Sequence, residues 1–219
     1  PMGFGGFLYS DVTGPTSRTG LYGTYAYNIE AWPDIRLSMG LSLGLLQNKV
    51  DGTEITLIEE TDPVFQGGVY SSWAPDASLG LYLYHENWFA GFSAFQLFSN
   101  SIKVYDEKNG LNKLKNHYYL MGGYRYRLHP DFRLEASVLL KGTTPVPVQL
   151  ELNTRLTYRE LVWMGMSFRT KDAASFMLGY IHDSRFMFGY SYDTSTSSIR
   201  SYNSGSHEIM IGIRLNPLR

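Results

Sequence analysis

Alternation of apolar and polar residues with a period of two is the feature of this sequence that most restricts its fold. In the segment 35–45, one set of positions holds Ile35, Leu37, Met39, Leu41, Leu43 and Leu45, and the positions between hold Arg36, Ser38, Gly40, Ser42 and Gly44. A helix would scatter these sets around its circumference, whereas a strand places them on opposite faces. The pattern recurs in segments 132–140, 148–158, 162–169 and 208–215. The sequence therefore predicts an all-β fold.

The length and polarity of these strands favour a membrane protein over a soluble β-sandwich. They run about ten residues, as a tilted strand that crosses a bilayer must, whereas soluble strands average about five or six. Their second face carries charge and glycine, which is typical of the polar interior of a barrel. The longest stretch without Asp, Glu, Lys or Arg has 16 residues, 87–102, fewer than the roughly 18 of a membrane helix. We therefore expect a transmembrane antiparallel β-barrel.

Turn residues delimit about twelve strands, joined by connections of two lengths. The strands are expected at 2–10, 18–29, 35–47, 77–84, 88–98, 116–128, 132–140, 148–158, 162–169, 174–181, 186–193 and 206–215. Even-numbered connections are tight (30–34, 85–87, 129–131, 159–161 and 182–185), and odd ones are longer (11–17, 48–76, 99–115, 141–147 and 194–205), except 170–173. Such sorting is typical of outer-membrane barrels and puts the short turns in the periplasm. This assignment treats Val64–Trp73 as loop. A strand at Gly67–Trp73 would break the alternation of short and long connections after the third strand.

Tyrosine and tryptophan gather near the strand ends, which favours aromatic girdles at the membrane interfaces, although aromatics are also good strand formers. No repeat, linker or low-complexity tract divides the chain, so residues 1–219 are expected to form one domain. The first residues lack the basic and cleavage regions of a signal peptide. We therefore expect that the chain is processed or begins inside a longer precursor.

The composition gives no indication of enzymatic or nucleic-acid chemistry. With 19 basic and 20 acidic residues the net charge is −1, which gives no reason to expect nucleic acid as a partner. Cysteine is absent, so disulfides and thiolate metal sites are excluded. The histidines lie in expected turns or at strand starts, and none has the spacing of a helical zinc site. No catalytic, cofactor or metal site is predicted.

Two local motifs invite a chemical interpretation. Ser206, His207 and Glu208 are residue types of a lipid hydrolase, but adjacent strand residues point to opposite faces, so this alternative is minor. Asp51–Glu54 lacks the remaining acidic ligands of a calcium loop, and a plain turn is favoured.

Charged residues on the polar strand faces are the candidate site. We expect them to face the lumen, where they either select solutes or pair with one another. Pairing is favoured because both signs alternate on neighbouring strands. The residues are Arg125, Arg127, Arg133, Glu135, Glu151, Arg155, Arg169, Glu208 and Arg214.

Several motifs, read in order along nearly the whole chain, resemble one family. They are Gly20–Tyr27 with Leu37–Leu41, Pro75–Gly80 with Ala90–Ser93, His117–Tyr124, Trp163–Arg169, Gly189–Asp193 and Ser204–Ile209. Together they resemble the PorP/SprF family of the type IX secretion system in Bacteroidetes. The resemblance implies an outer-membrane barrel without catalytic residues, which serves secretion or surface attachment of cargo such as gliding adhesins.

The sequence departs from the family pattern at both ends. Family members have further sequence before the point that aligns with Pro1, so we expect a signal peptide and two more strands there, fourteen in the full protein. The chain ends Leu215–Arg219 rather than on a terminal aromatic, which leaves its recognition by barrel assembly open.

Two functions remain open at this point. In the first, loops 48–76, 99–115 and 194–205 dock secreted or cell-surface cargo while the short turns meet periplasmic machinery. Phe95, Leu97, Phe98 and Ile102 border one such loop and would contact a docked chain or anchor the barrel in lipid. In the second, the barrel is a passive channel for small solutes, with the acidic loop 51–62 as a constriction.

Overall fold

The computed structural model describes residues 1–54, 68–98, 114–197 and 204–215. In these ranges twelve antiparallel strands form one sheet, and each strand pairs with its neighbours in the sequence. The strands are β1 (Met2–Thr13), β2 (Thr16–Trp32), β3 (Ile35–Asp51), β4 (Val69–Tyr84), β5 (Trp88–Phe95), β6 (His117–His129), β7 (Phe132–Thr143), β8 (Val146–Tyr158), β9 (Val162–Arg169), β10 (Ala173–His182), β11 (Phe186–Ser195) and β12 (Ser206–Ile213). The predicted all-β fold with twelve antiparallel strands is confirmed.

Helical structure is minor in the described ranges. A single 3-10 turn, Gly52–Glu54, follows β3. Within the same ranges, none of the helical structure has the length and apolarity needed to cross a membrane.

The chain divides into two compact units. Unit 1 comprises Pro1–Tyr82, Phe92–Tyr118 and Thr143–Pro145, and unit 2 comprises Leu83–Gly91, Tyr119–Gly142 and Val146–Arg219. Unit 1 therefore holds β1 to β3 and nearly all of β4, and unit 2 holds β8 to β12 with most of β6 and β7.

Two connections predicted to be long are tight turns. β1 and β2 pair from Met2↔Tyr27 as far as Thr13↔Thr16, so only two residues join them. β7 and β8 are likewise joined by two residues, Thr144 and Pro145. The predicted loops 11–17 and 141–147 are therefore wrong. The adjoining ends of β1, β2 and β7 are mostly polar and carry little apolar alternation, which was the signal used to delimit the strands.

The predicted loop Val64–Trp73 is wrong over its last five residues. β4 begins at Val69 and runs through Pro75 without interruption to Tyr84, and residues 64–67 lie outside the described ranges. Proline lacks the N–H that a ladder needs, yet Pro75 lies inside this strand. Because Val69–Trp73 extends β4 rather than forming another strand, the numbering of the later strands is unaffected.

The predicted sorting of connections holds only in part. All five even-numbered connections have two or three residues: 33–34, 85–87, 130–131, 159–161 and 183–185. Of the odd ones, 52–68, 96–116 and 196–205 are long, whereas 14–15, 144–145 and 170–172 are short. We call the strand ends joined by even connections the short-turn end.

Burial along the strands is the reverse of that in a soluble protein. On β8, β9 and β10 the large apolar side chains of Leu152, Met164 and Phe176 are 50%, 61% and 50% exposed. The alternate positions are covered, with Ser167 and Ser175 each 8% exposed. We call these two sides the apolar face and the polar face. Soluble proteins bury most Leu, Met and Phe, so this sheet presents its apolar face to a medium other than water.

Candidate functional site

A ladder of charged and aromatic side chains crosses the polar face of unit 2. The carboxylate of Glu135 on β7 accepts a hydrogen bond from Arg125 Nε at 2.8 Å and one from Arg155 Nη2 at 3.4 Å. The Arg125 guanidinium lies 4.8 Å from the ring centroid of Phe89, and that of Arg155 lies 5.8 Å from the Trp163 ring. One carboxylate thus links strands β6 and β8 through β7, and each arginine has an aromatic face as its second partner.

A second cluster lies further along β8 and β9. Arg169 Nε donates to Glu151 Oε2 at 3.0 Å, and Arg169 Nη1 donates to Asp172 Oδ2 at 3.1 Å. Ser167 Oγ donates to the other Glu151 oxygen at 3.0 Å. The Glu151 side chain is only 18% exposed, so these bonds compensate the loss of its hydration. Two carboxylates share one guanidinium here, and the cluster carries net negative charge.

The remaining predicted site residues are more peripheral. Arg133 Nη2 donates to Glu160 on the β8–β9 turn at 2.8 Å. Glu208 Oε2 accepts from Ser191 Oγ at 3.4 Å, and Arg214 Nη1 donates to the Ser184 carbonyl at 3.5 Å. Arg127 is exposed and has no ion pair among the described residues. The structure therefore brings together Arg125, Glu135 and Arg155, and separately Glu151 and Arg169; the lumen-facing role of all nine stays a prediction.

A buried carboxylate in unit 1 was missed by the sequence analysis. Asp76 on β4 is 4% exposed and accepts the Tyr22 hydroxyl at 2.8 Å and the Ala77 N–H at 2.8 Å. Tyr22 belongs to β2, so its side chain crosses β3 to reach β4. It does so over Gly44, where an added Cβ would lie 2.4 Å from the Tyr22 ring. The sequence signals were the glycines on the polar face of β3 and the lone acid after Pro75.

Tyr22 is one of four aromatic rings that each lie on a glycine of the following strand. A Cβ at any of these glycines would come within 2.5 Å of the ring. Such rings shield the glycine backbone and fix the register of the two strands. The pairs are Tyr9 on Gly20, Tyr22 on Gly44, Phe89 on Gly123 and Trp163 on Gly179.

The Ser206–Glu208 run lies on β12, and its three residues have separate partners on β11. His207 Nδ1 is 2.7 Å from the Tyr190 hydroxyl, whereas Glu208 is bonded to Ser191. Ser206 faces Asp193 across the β11–β12 ladder, and the neighbouring residue His207 faces Tyr192. Consecutive strand residues point to opposite faces, so Ser206 and His207 do not share a site.

Asp51 forms a turn with the residues that follow it. Its Oδ1 atom accepts the Thr53 N–H at 3.1 Å and the Thr53 hydroxyl at 2.5 Å, which is the Asx-turn geometry. In the described residues no group of three or more His, Cys, Asp or Glu is arranged to hold a metal ion.

Comparison with known proteins identifies the family. The model of the family described as type IX secretion system membrane protein PorP/SprF matches residues 1–213. A search of curated proteins finds no match. The family match spans all twelve strands, and the exposed apolar face agrees with a membrane protein. The chain belongs to the PorP/SprF family of type IX secretion system membrane proteins.

Proposed function

We propose that the protein is a non-enzymatic β-barrel of the outer membrane. In this role it docks or anchors secreted or cell-surface proteins and contacts the periplasmic secretion machinery, with residues 1–219 acting as one domain. The observation that carries the proposal is the reversed burial of the strands in a chain of this family. Strands are well suited to such a membrane because a closed barrel satisfies every backbone N–H and C=O internally.

The lipid contact of the apolar face can be tested by cysteine scanning, because the chain has no cysteine of its own. Neighbouring positions on β8, Leu152 and Asn153, provide a matched pair. We expect a spin label at Leu152→Cys to be accessible to oxygen and one at Asn153→Cys to be shielded from it. Equal accessibility at both positions in reconstituted vesicles would contradict the membrane orientation.

Exposed aromatics at the end of β5 support docking at the long connections. Phe95, the last residue of β5, is 41% exposed, and Phe98, within the connection 96–116, is 53% exposed. Leu97 is half-buried, and its N–H donates to the Ala77 carbonyl at 3.0 Å, which fixes this segment against β4. Ile102 lies outside the described residues. Large apolar side chains held in place at a strand end are suitable contacts for a partner protein.

Affinity purification from gently solubilised membranes tests the docking function. We expect large surface proteins or periplasmic proteins to co-elute with the tagged chain in stoichiometric amounts, as identified by mass spectrometry. The variant Phe95→Ser/Phe98→Ser should lose the surface cargo. Trp32→Ser is the control, because Trp32 is also an exposed aromatic (61%) but lies at the short-turn end. Cargo retention by the double variant would contradict docking at β5.

The charged ladder on the polar face favours one second candidate, a passive channel. Glu135 and its two arginines would line such a pore. Two results together would favour the channel over docking. The barrel would elute alone, and it would conduct ions in planar bilayers with an ion selectivity that changes in the variant Glu135→Gln.

A further inference from the structure

Every even-numbered turn of unit 2 places a basic side chain next to an aromatic ring at the short-turn end. The contact recurs at the turns that follow β4, β6, β8 and β10, so it is a repeated property of this end rather than an isolated one. In two pairs the ring centroids are 6.2 Å apart (His85–Trp88) and 6.3 Å apart (His129–Phe132). In the other two the guanidinium carbon lies 5.2 Å (Arg159–Tyr158) and 6.0 Å (Arg185–Phe186) from the ring centroid.

The rings of these pairs lie on the apolar face. Phe132 directly precedes Arg133, whose side chain is on the polar face, and it contacts Tyr158 at 4.8 Å. Phe186 pairs across the ladder with Ile213, which is 58% exposed. The aromatics therefore form the last row of the apolar face before the turns. In membrane proteins aromatic rings at this level lie among the lipid headgroups.

Two guanidiniums at or beside the turn after β10, those of Arg185 and Arg214, form no ion pair with an acid in the described part of the chain. The Arg214 N–H donates to the Arg185 carbonyl at 2.8 Å, and Arg214 Nη1 reaches the Ser184 carbonyl at 3.5 Å. These bonds bring both arginines to one turn. The nearby acid Asp183 is 3.4 Å from His182 and its side chain is 81% exposed.

Arg159, in the turn after β8, has an acidic partner. Its Nε donates to Asp131 Oδ1 at 3.0 Å, and its backbone N–H donates to the Asp131 carbonyl at 2.7 Å. Asp131 thus neutralises Arg159, and the pair ties two neighbouring turns together. At this end of β8 to β12, Arg185 and Arg214 are thus the arginines without an ion pair among the described residues.

We propose that Arg185 and Arg214 bind the phosphate group of a membrane phospholipid, whose acyl chains lie along Phe186 and the apolar face of β11 and β12. Arg185 precedes β11 and Arg214 follows β12, so the alternation of strand faces does not fix the direction of either side chain. In this proposal Arg214 reaches the membrane side and replaces its predicted lumen-facing role. Guanidinium groups match phosphate oxygens in geometry and charge. The acyl chains would contact the column of Phe186, Phe188 and Ile211, which are 37%, 47% and 69% exposed. The proposal rests on the membrane location given above.

The test uses the full chain in detergent and titrates it with dioctanoyl phosphatidylglycerol while thermal unfolding is followed. We expect the lipid to raise the unfolding temperature. A cationic side chain near an anionic lipid surface contributes about a fivefold change in affinity. The variant Arg185→Gln/Arg214→Gln should therefore weaken lipid binding about 25-fold. Arg18→Gln is the control, because Arg18 is an exposed arginine near the start of β2, away from the short-turn end of that strand. This variant should bind the lipid as tightly as the unmodified chain.

Two further measurements keep the outcomes distinct. Inorganic phosphate at the same concentrations should leave the unfolding temperature unchanged; an equal stabilisation would show a simple anion site and overturn the lipid assignment. Phe186→Leu keeps both charges and should weaken binding severalfold, which provides a test if the double arginine variant does not fold. Unchanged lipid affinity in the foldable variants would refute the proposal, whereas failure of the oxygen-accessibility pattern at Leu152 and Asn153 would refute the membrane orientation itself.

Discussion

Replacing Gly44 by alanine should destabilise the protein far more than the loss of one glycine suggests. The new Cβ would lie 2.4 Å from Tyr22 Cδ1 and 2.5 Å from the Leu21 carbonyl oxygen. The Tyr22 ring must therefore leave its position, and Asp76 then loses the hydroxyl that donates to it. The displaced ring would also leave Phe7, whose centroid lies 4.7 Å from that of Tyr22. A hydrogen bond to a buried charged group contributes about 1.5–3 kcal/mol, and an aromatic pair adds about 0.5–1.5 kcal/mol.

We therefore expect Gly44→Ala to lower the free energy of unfolding by about 3 kcal/mol. Urea unfolding in vesicles, followed by tryptophan fluorescence and by the gel mobility of the folded barrel, measures this change. Gly40→Ala is the matched control on the same face of β3, because its Cβ would meet no atom closer than 3.9 Å. That variant should change stability by less than about 0.5 kcal/mol.

Two more variants separate the components of the effect. Tyr22→Phe keeps the ring on Gly44 and removes only the hydrogen bond to Asp76, so it should cost about 1.5–3 kcal/mol. Asp76→Asn keeps an oxygen that can accept the Tyr22 hydroxyl, so it should lower the free energy of unfolding by less than Tyr22→Phe does. A Gly44→Ala variant as stable as Gly40→Ala would refute the role of the ring crossing.

Three other substitutions test separate features. Glu135→Gln removes the carboxylate shared by two arginines and should reduce the free energy of unfolding by about 1 kcal/mol, less at high salt, as measured by urea midpoints. Gly205→Ala places a Cβ 2.6 Å from the Asp193 carbonyl at a φ of +88° and should cost about 1–3 kcal/mol, whereas Gly23→Ala, with no atom within 4 Å, should be neutral. Leu152→Arg puts a charge on the apolar face and should lower the free energy of unfolding by about 2–4 kcal/mol when folding into vesicles is measured. An equal effect of Asn153→Arg would contradict the assignment of the two faces.

Most of the fold could be predicted from the sequence because the period-two pattern is a direct consequence of strand geometry. It located all twelve strands and separated Leu41, Leu43 and Leu45 from the residues between them. It failed where the pattern stops before the strand does, as at the polar ends of β1 and β7. It also failed at Val69–Trp73, which was treated as loop in line with the sorting of connections and is part of β4.

The candidate site was predictable only at the level of residue type. Pairing of Arg125 with Glu135 follows from opposite charges on neighbouring strands. Arg127 has the same residue type and face as Arg125, yet it is exposed without an ion pair in the described part of the chain. The Tyr22–Asp76 bond could not be found, because it joins strands that are not adjacent and depends on the absence of a side chain at Gly44.

The rings that lie on glycines share a direction along the chain. In each of the four pairs the ring precedes its glycine in the sequence and belongs to the strand just before it. A barrel that adds strands in chain order therefore presents each ring before the strand with its glycine arrives. Because the contacts of Tyr9, Tyr22 and Trp163 are each formed with the next strand across a short turn, closing them requires only small loops. These three contacts can therefore form locally, as each strand pairs with its neighbour in the sequence.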